Sequence, residues 1–592
     1  MRKIISAILF LIIIVSAIAE TLPPLKDGKA PETFGELWSG FDPRKEALDI
    51  EVLHEWEQDG VVMKVLRYRV GIFKGKKAMM AAVYGYPKGA KNLPGLVQIH
   101  GGGGAGTEGP VLANAKEGYA TISIAWDGRI KAMEYPIDNE AKQLYWDGKT
   151  DDSKYRKTTD WGDLGAFFFP RRYEDQKILV HQLDPVDSAR NSNWFLWTIG
   201  ARRAITFLEQ QPEVDGERIG VYGHSMGGQL TVAVAGSDSR VKAASPSCGG
   251  ITIKDQEDLM SSARSHQRIT CPILFLNASN DFNGRIHDLP LAIERLATDE
   301  WRVVSAPHLN HNCGPSHYVS VPLWFNQHLK SEFVMPKNPE TSLVLKTADR
   351  TPVFTVTPDD LREIISVDIY YTEQDESNYT ERLVAMSKYW RHAPATESDG
   401  TWTAPVPVFS TERQLWVYAD IAYANDREVF GSGGGPVLSS DTFHLSSLLR
   451  MVTADELKAA GVEANETPSL LIEDFAEGWE KEWFGKGQKS LKTFRLKSPQ
   501  YQAPSNSKLS IEIQSDKKGR MQLSMEKEKD RFHHAVMIEG DFTWQTVVLS
   551  PSDFKKGKGE SPANWDDLDI VLTLPAGWEW EDVKLRNLKW IK

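Results

Sequence analysis

Ser225 stands in Gly223-His-Ser-Met-Gly227, with a further glycine at Gly228. The segment follows a strand-like apolar run, Arg218-Ile-Gly-Val-Tyr222, and leads into a small-residue helical stretch, Gln229-Leu-Thr-Val-Ala-Val-Ala235. A strand, a sharp turn and a helix push a central serine hydroxyl out above a sheet edge, and a Cβ at either flank would strike the neighbouring strand or helix. A serine hydroxyl is a poor nucleophile at neutral pH. It needs a histidine to take its proton and a carboxylate to fix that histidine's tautomer. Both types occur downstream, each just past an apolar run. Asp281 follows Cys271-Pro-Ile-Leu-Phe-Leu-Asn277, and His308 and His311 follow Trp301-Arg-Val-Val-Ser305. The candidate catalytic set is Ser225, Asp281 and His311. His308 is the competing base and Asp288 the competing acid, the latter placed as the start of a helix-like stretch, Leu289 to Leu296.

Acyl transfer through a serine also needs donors for the oxyanion. One is the amide that follows the nucleophile, Met226. The second is sought in His100-Gly-Gly-Gly-Gly-Ala-Gly106, after the apolar run Pro94 to Ile99, with Gly102 the first choice and Gly103 the second. A phosphate-cradling reading of these glycines lacks both the G-x-x-x-x-G-K-S/T pattern and a G-x-G-x-x-G with its downstream ribose-binding acid.

The order Ser225, Asp281, His311 is that of α/β-hydrolases. Residues Arg202 to Gly228, with Pro212-Glu-Val-Asp-Gly-Glu-Arg-Ile-Gly220 before the elbow, resemble the dienelactone hydrolase, acetyl xylan esterase and prolyl oligopeptidase branch of that superfamily. The similarity covers roughly Leu53 to Lys330. It implies an eight-stranded, mostly parallel sheet and a Ser-His-Asp triad, with no metal and no cofactor. A serine replaces the cysteine nucleophile of true dienelactone hydrolases, and too few residues precede His100 to build the propeller of prolyl oligopeptidases. The expected activity is an ester hydrolase acting on acylated polysaccharide. The alternatives are a peptidase or polyester hydrolase, or an inactive carbohydrate-binding protein.

The 592 residues exceed one hydrophobic core. The expected division is a signal peptide at 1–19, an α/β-hydrolase domain at 20–335 and a fibronectin- or immunoglobulin-like sandwich at 340–445. A linker with a short helix (446–468) and a jelly roll resembling carbohydrate-binding modules (469–592) follow. In the last segment, Leu470-Leu-Ile-Glu-Asp-Phe and Trp544-Gln-Thr-Val-Val-Leu549 carry that resemblance. The triad lies upstream of Lys330, so the C-terminal module reads as separable from catalysis.

An irregular, aromatic-rich insertion at about 127–192 is expected to form a lid, since loops after parallel strands overhang the ligand side of the sheet. It holds Tyr135, Tyr145, Trp146, Tyr155, Trp161, Phe167, Phe168, Phe169, Arg171 and Arg172; Trp161, with Trp126 just before the insertion, is a candidate substrate contact. Arg2-Lys3, the apolar run Ile4 to Val15 and Ala17-Ile-Ala19 fit an export signal, predicting a secreted or periplasmic protein with no membrane span after cleavage. The net charge of −12, without a basic patch, argues against nucleic acid as a partner. Three cysteines, Cys248, Cys271 and Cys313, leave at least one unpaired, and a Cys248–Cys313 bond is open.

Overall fold

The computed structural model describes residues 20–135, 158–162, 164, 181–251, 258–374, 387–432, 437–465, 467–485, 489–557 and 559–592. The expected signal segment lies outside them, as do Tyr145, Trp146, Tyr155, Phe167, Phe168, Phe169, Arg171 and Arg172 of the insertion.

The first domain is built on a sheet whose strands are β1 (Glu51–Gln58), β2 (Val61–Phe73), β3 (Lys76–Pro87), β4 (Leu93–Ile99), β5 (Ala120–Ala125), β6 (Val214–His224), β7 (Val241–Ser247), β8 (Ile273–Ala278) and β9 (Trp301–Ala306). Their spatial order is β1-β2-β3-β5-β4-β6-β7-β8-β9. From β5 onward the neighbours run parallel, while β1, β2 and β3 form an antiparallel flank. The sheet thus has nine strands where the resemblance implies eight. The additional edge strand β1 is amphipathic: Leu53 and Trp56 pack on a small apolar cluster while Glu51 and Glu55 face solvent.

The six parallel strands are near-continuously apolar because both faces are covered. One face carries α1 (Asn193–Glu209) and α2 (Met226–Ser237), whose Phe195, Trp197, Ile205 and Val234 join Val97, Val221 and Phe275 in one core. On the other face Leu96, Tyr222, Leu274 and Val304 pack against Trp324 and Phe325, and the same cluster runs on without a break into Phe354, Ile369, Val417 and Phe443 of the second domain.

That second domain is a pair of antiparallel sheets. One contains Glu340–Val344, Val353–Thr357, Thr401–Pro405 and Thr396–Ser398; the other Arg391–Ala393, Ile364–Thr372, Leu415–Gly431 and Leu438–Ser446. The period-two segments Pro352–Thr357 and Gln414–Ala419 fall on the strands Val353–Thr357 and Leu415–Gly431, as their alternation predicts. The segment expected to be a linker with a short helix holds that helix and a strand as well. Arg450–Val452 pairs with Leu415–Val417, and a helix at Ala454–Ala460 opens on a Thr453–Glu456 capping box, ends at a left-handed Gly461 and buries Leu457.

The third domain also stacks two antiparallel sheets, around its own core of Ile511, Leu523, Leu572 and Trp590. Its five-stranded sheet contains Phe484–Gly485, Ser490–Thr493, Asp569–Thr573, Gly519–Lys527 and Asp530–Ile538. No helix among the described residues is long and apolar enough to cross a membrane.

Candidate active site

The site forms at the C-terminal ends of β4, β6, β8 and β9, where loops of a parallel sheet converge. Ser225 joins β6 to α2 with φ 60° and ψ −120°, a strained geometry for a residue bearing a side chain. The turn closes only because its flanks are bare: a Cβ at Gly223 or Gly227 would run into the carbonyl oxygen of Ile99 at the end of β4. The Ser225 amide donates to the Ser247 carbonyl (2.7 Å), tying the turn to β7.

The three predicted catalytic residues meet. His311 Nε2 lies 2.8 Å from Ser225 Oγ, and His311 Nδ1 lies 3.0 and 3.1 Å from the two Asp281 oxygens. Asp281 Oδ1 also accepts the amides of Asn283 (2.6 Å) and Gly284 (2.8 Å). Burial pushes the Asp281 carboxyl up, but the His311 ring, the Cys248 thiol and the Asn283 amide hold it below the ordinary carboxylate range. It is therefore ionised, as a group that orients the base and stabilises its imidazolium must be. The His311 ring packs against Phe282 (centroids 4.3 Å apart) and His224 (4.9 Å). Burial and the neighbouring His311 pull His224 down to about 4, so it stays neutral near pH 7.

His308 is excluded as the base. It is buried, its Nε2 lies 2.8 Å from the Lys481 carbonyl of the third domain, and desolvation lowers its pKa to about 4. Asp288 sits at the N-cap of the helix Leu289–Glu294, while His311 Nδ1 is met by Asp281.

On the oxyanion side, Met226 opens α2, so its amide has no helical partner. The glycine loop is braced by residues the motifs did not single out. Arg129 Nη2 donates to the Gly102 carbonyl (2.7 Å), and Arg129 is paired with Asp127, which also meets His100 Nε2 at 3.3 Å. Burial raises the Asp127 carboxyl, yet His100 and Arg129 together hold it low. With the Gly102 carbonyl drawn to Arg129, the trans peptide turns the Gly103 amide to the opposite side. Gly101 is the loop residue packed directly on the elbow: a Cβ there would fall 2.9 Å from Ser225 Cβ. The Asp127-x-Arg129 spacing straight after β5 is the sequence signal for this brace.

Trp126 and Trp161 do not contact a substrate space. Both are wholly buried; Trp126 Nε1 donates to the His100 carbonyl (2.9 Å) and Trp161 Nε1 to the Trp126 carbonyl (3.0 Å). An indole at the end of a fully buried strand continues the core, and its N–H is satisfied by the nearest carbonyl. The described part of the insertion is likewise stitched to the sheet, with Asp160 and Met79 exchanging backbone hydrogen bonds at 2.7 Å.

Asn280, the neighbour of Asp281, couples the acid loop to its surroundings. Its Nδ2 donates to the carbonyls of His308 (3.2 Å) and Lys388 (2.8 Å), and its Oδ1 accepts Trp390 Nε1 (2.9 Å). Lys388 and Trp390 belong to the second domain.

All three cysteines are free and buried, and Cys248 and Cys313 stand beside Asp281 with their thiols unjoined. Two clusters among the described residues bring metal-ligating atoms within 4.8 Å of one another, His224/Cys248/His311 and His317/Asp420/His444. In the second, the Asp420 carboxylate already meets both rings, at 3.3 and 2.8 Å, and joins the first domain to the second.

Residues 172–306 match the dienelactone hydrolase family. Among solved structures, the chain is similar to an acetyl xylan esterase from Paenibacillus sp. R4 (19% identity, TM-score 0.34, 48% of this chain and 91% of that one). It is also similar to acetyl xylan esterase 1 from Thermoanaerobacterium sp. JW/SL YS485 (16%, 0.37, 52% and 96%) and to a glucuronoyl esterase from Solibacter usitatus (14%, 0.34, 53% and 99%). A search of curated proteins finds no match. The family match falls within the first domain and spans Ser225 and Asp281.

Proposed function

We propose that this protein is an exported serine esterase that removes acyl groups, acetyl above all, from polysaccharide. The observation that carries the mechanism is the continuous relay from Ser225 Oγ through His311 to Asp281, at 2.8 and 3.0 Å. His311 Nε2 takes the hydroxyl proton as Oγ attacks the acyl carbon. The carbonyl oxygen gains the charge and turns toward the Met226 amide and the glycine loop. The tetrahedral species collapses when His311 returns the proton to the departing sugar oxygen, leaving an acyl-Ser225 ester. Water, deprotonated by the same nitrogen, then releases the acid and restores the serine. Asp281 remains ionised throughout and holds the proton of His311 on Nδ1.

The polysaccharide part of the reading is supported by the resemblance of residues 469–592 to carbohydrate-binding modules, and export by the apolar leader at 4–15. A serine-directed phosphonate should label Ser225 and nothing else, and a panel of acetylated, feruloylated and methyl-esterified glycans should show turnover on the acetylated members first. Phosphonate labelling that persists in Ser225→Ala would overturn the assignment. Absence of turnover on every glycan, with turnover of a small acyl chromogen intact, would move the substrate to a polyester or peptide.

A further inference from the structure

The five-stranded sheet of the third domain lies beside the hydrolase domain. It meets the His308–His311 loop across a cavity of about 650 Å³, within the range of small-ligand sites. His308 and Asn310 form the wall on the hydrolase side, and Phe484, Phe494, Lys492 and Asp569 form the opposite one. Asn310 is covalently next to the base, so the cavity begins one residue from the catalytic centre.

Its lining has unmet hydrogen-bonding capacity. Asp569 is 4% exposed, and only Oδ2 is bonded, to Lys492 Nζ at 2.7 Å. Oδ1 has no hydrogen-bond partner among the described residues; Lys497 Nζ stops at 3.7 Å. Asn310 Oδ1 is also buried and lacks a partner among the described residues. Lys492 is shared with Glu526 at 2.8 Å, and burial with the nearby Glu526 charge leaves Asp569 raised despite its lysines. Leaving such acceptors unmet is costly. Beside them, the Phe484 ring lies 4.9 Å from Phe494 and stacks on His308 at 6.0 Å, giving the cavity an apolar wall.

Free acceptors beside aromatic faces suit a ligand that presents hydroxyl donors and flat C–H surfaces. Five carboxylates against three lysines on the lining disfavour an anion. We propose that this cavity is a second subsite for uncharged sugar units, built jointly by the third domain and the base loop. It would hold the glycan chain beyond the ester that Ser225 attacks. Calling that sugar part of the substrate rests on the esterase reading; the binding itself does not.

The test uses the full chain carrying Ser225→Ala, titrated calorimetrically with xylohexaose, cellohexaose and hexagalacturonate. A neutral hexaose should bind, and Asp569→Asn should weaken it about tenfold, as expected for loss of a charged acceptor. Gln502→Trp, an exposed rim position, should block the cavity and weaken binding at least as much; it carries the test if Asp569→Asn lowers the thermal midpoint. Neutral sugars that do not bind, binding untouched by the Gln502→Trp plug, or preference for hexagalacturonate would each overturn the subsite. Ester turnover by the unsubstituted protein is read separately. If it is absent while the plug still abolishes hexaose binding, the esterase reading falls and the subsite stands.

Discussion

The nucleophile arm of this site is held by backbone packed on backbone within one domain, whereas the acid and base loops are held from outside by two others. Gly223 and Gly227 close on the Ile99 carbonyl, and Ser225 bonds to Ser247, all inside the hydrolase sheet. Asn280 beside the acid is fixed by Lys388 and Trp390 of the second domain. His308 in the base loop is fixed by Lys481 of the third, and the Ser305 amide at the end of β9 donates to Ser446 Oγ at 2.8 Å. The glycine-lined elbow is sterically self-sufficient. Loops that leave a strand with few partners of their own keep their place only if something satisfies their polar groups. The all-β domains therefore help to hold the acid and base loops in place.

The largest effects should come from the chemistry common to both arms. Ser225→Ala and His311→Ala should each cut small-ester kcat on the order of a million-fold with unchanged circular dichroism, since members of a triad act as a unit. Retained turnover in either variant would break the comparison at its root.

Truncation at Ser469 sharpens it. The expectation from sequence is unimpaired turnover, because every catalytic residue lies upstream. The structure predicts instead a fall in small-ester kcat of about a hundredfold, since loss of Lys481 and Phe484 frees the base loop and a displacement near 1 Å is enough. Labelling of Ser225 by a reactive phosphonate should persist, more slowly, if the elbow is independent. Full turnover after truncation would show that the base loop stands unaided.

Asn280→Ala is the subtler version. It removes the donor shared by His308 and Lys388 and leaves the Trp390 N–H without its acceptor. A fall of roughly tenfold in kcat with little change in KM is expected, together with about 1–3 kcal/mol lost from stability. Equal losses in Asn280→Ala and in a distant surface substitution would remove its coupling role.

The smallest effect is on pH. Folding depresses His308 to about 4 from an unfolded value near 6.5, so the unfolded chain binds the extra proton between those limits. Its contribution is complete above pH 6.5 and is lost as pH falls toward 4, on the order of 1–2 kcal/mol by pH 5. The thermal midpoint should drop over that interval, and His308→Gln should flatten the slope. An unchanged slope would place the acid sensitivity on His224, His266 or His328, which are depressed to about 4 as well.

The elbow, the order of the triad and the antiparallel character of the C-terminal half were legible because each is written in neighbouring residues. Glycines bracket a serine, apolar runs end in Asp281 and His311, and period two replaces the helix–strand alternation after Lys330. The choice between His308 and His311 was not legible. Three residues apart in one loop, they differ only in what folds over them, and the carbonyl that claims His308 lies at Lys481. Trp126 and Trp161 were misread for the same reason, since an aromatic at the edge of an insertion has the same local sequence whether it lines a cleft or fills a core. The cavity between Asn310 and Asp569 and the second-domain groups around Asn280 join residues more than a hundred positions apart. Sequence by itself determined the chemistry of Ser225, because turn sterics act over a few residues. Only the tertiary structure decided which histidine serves it and what holds that histidine in place, because burial and hydrogen-bond satisfaction depend on every element packed around a group.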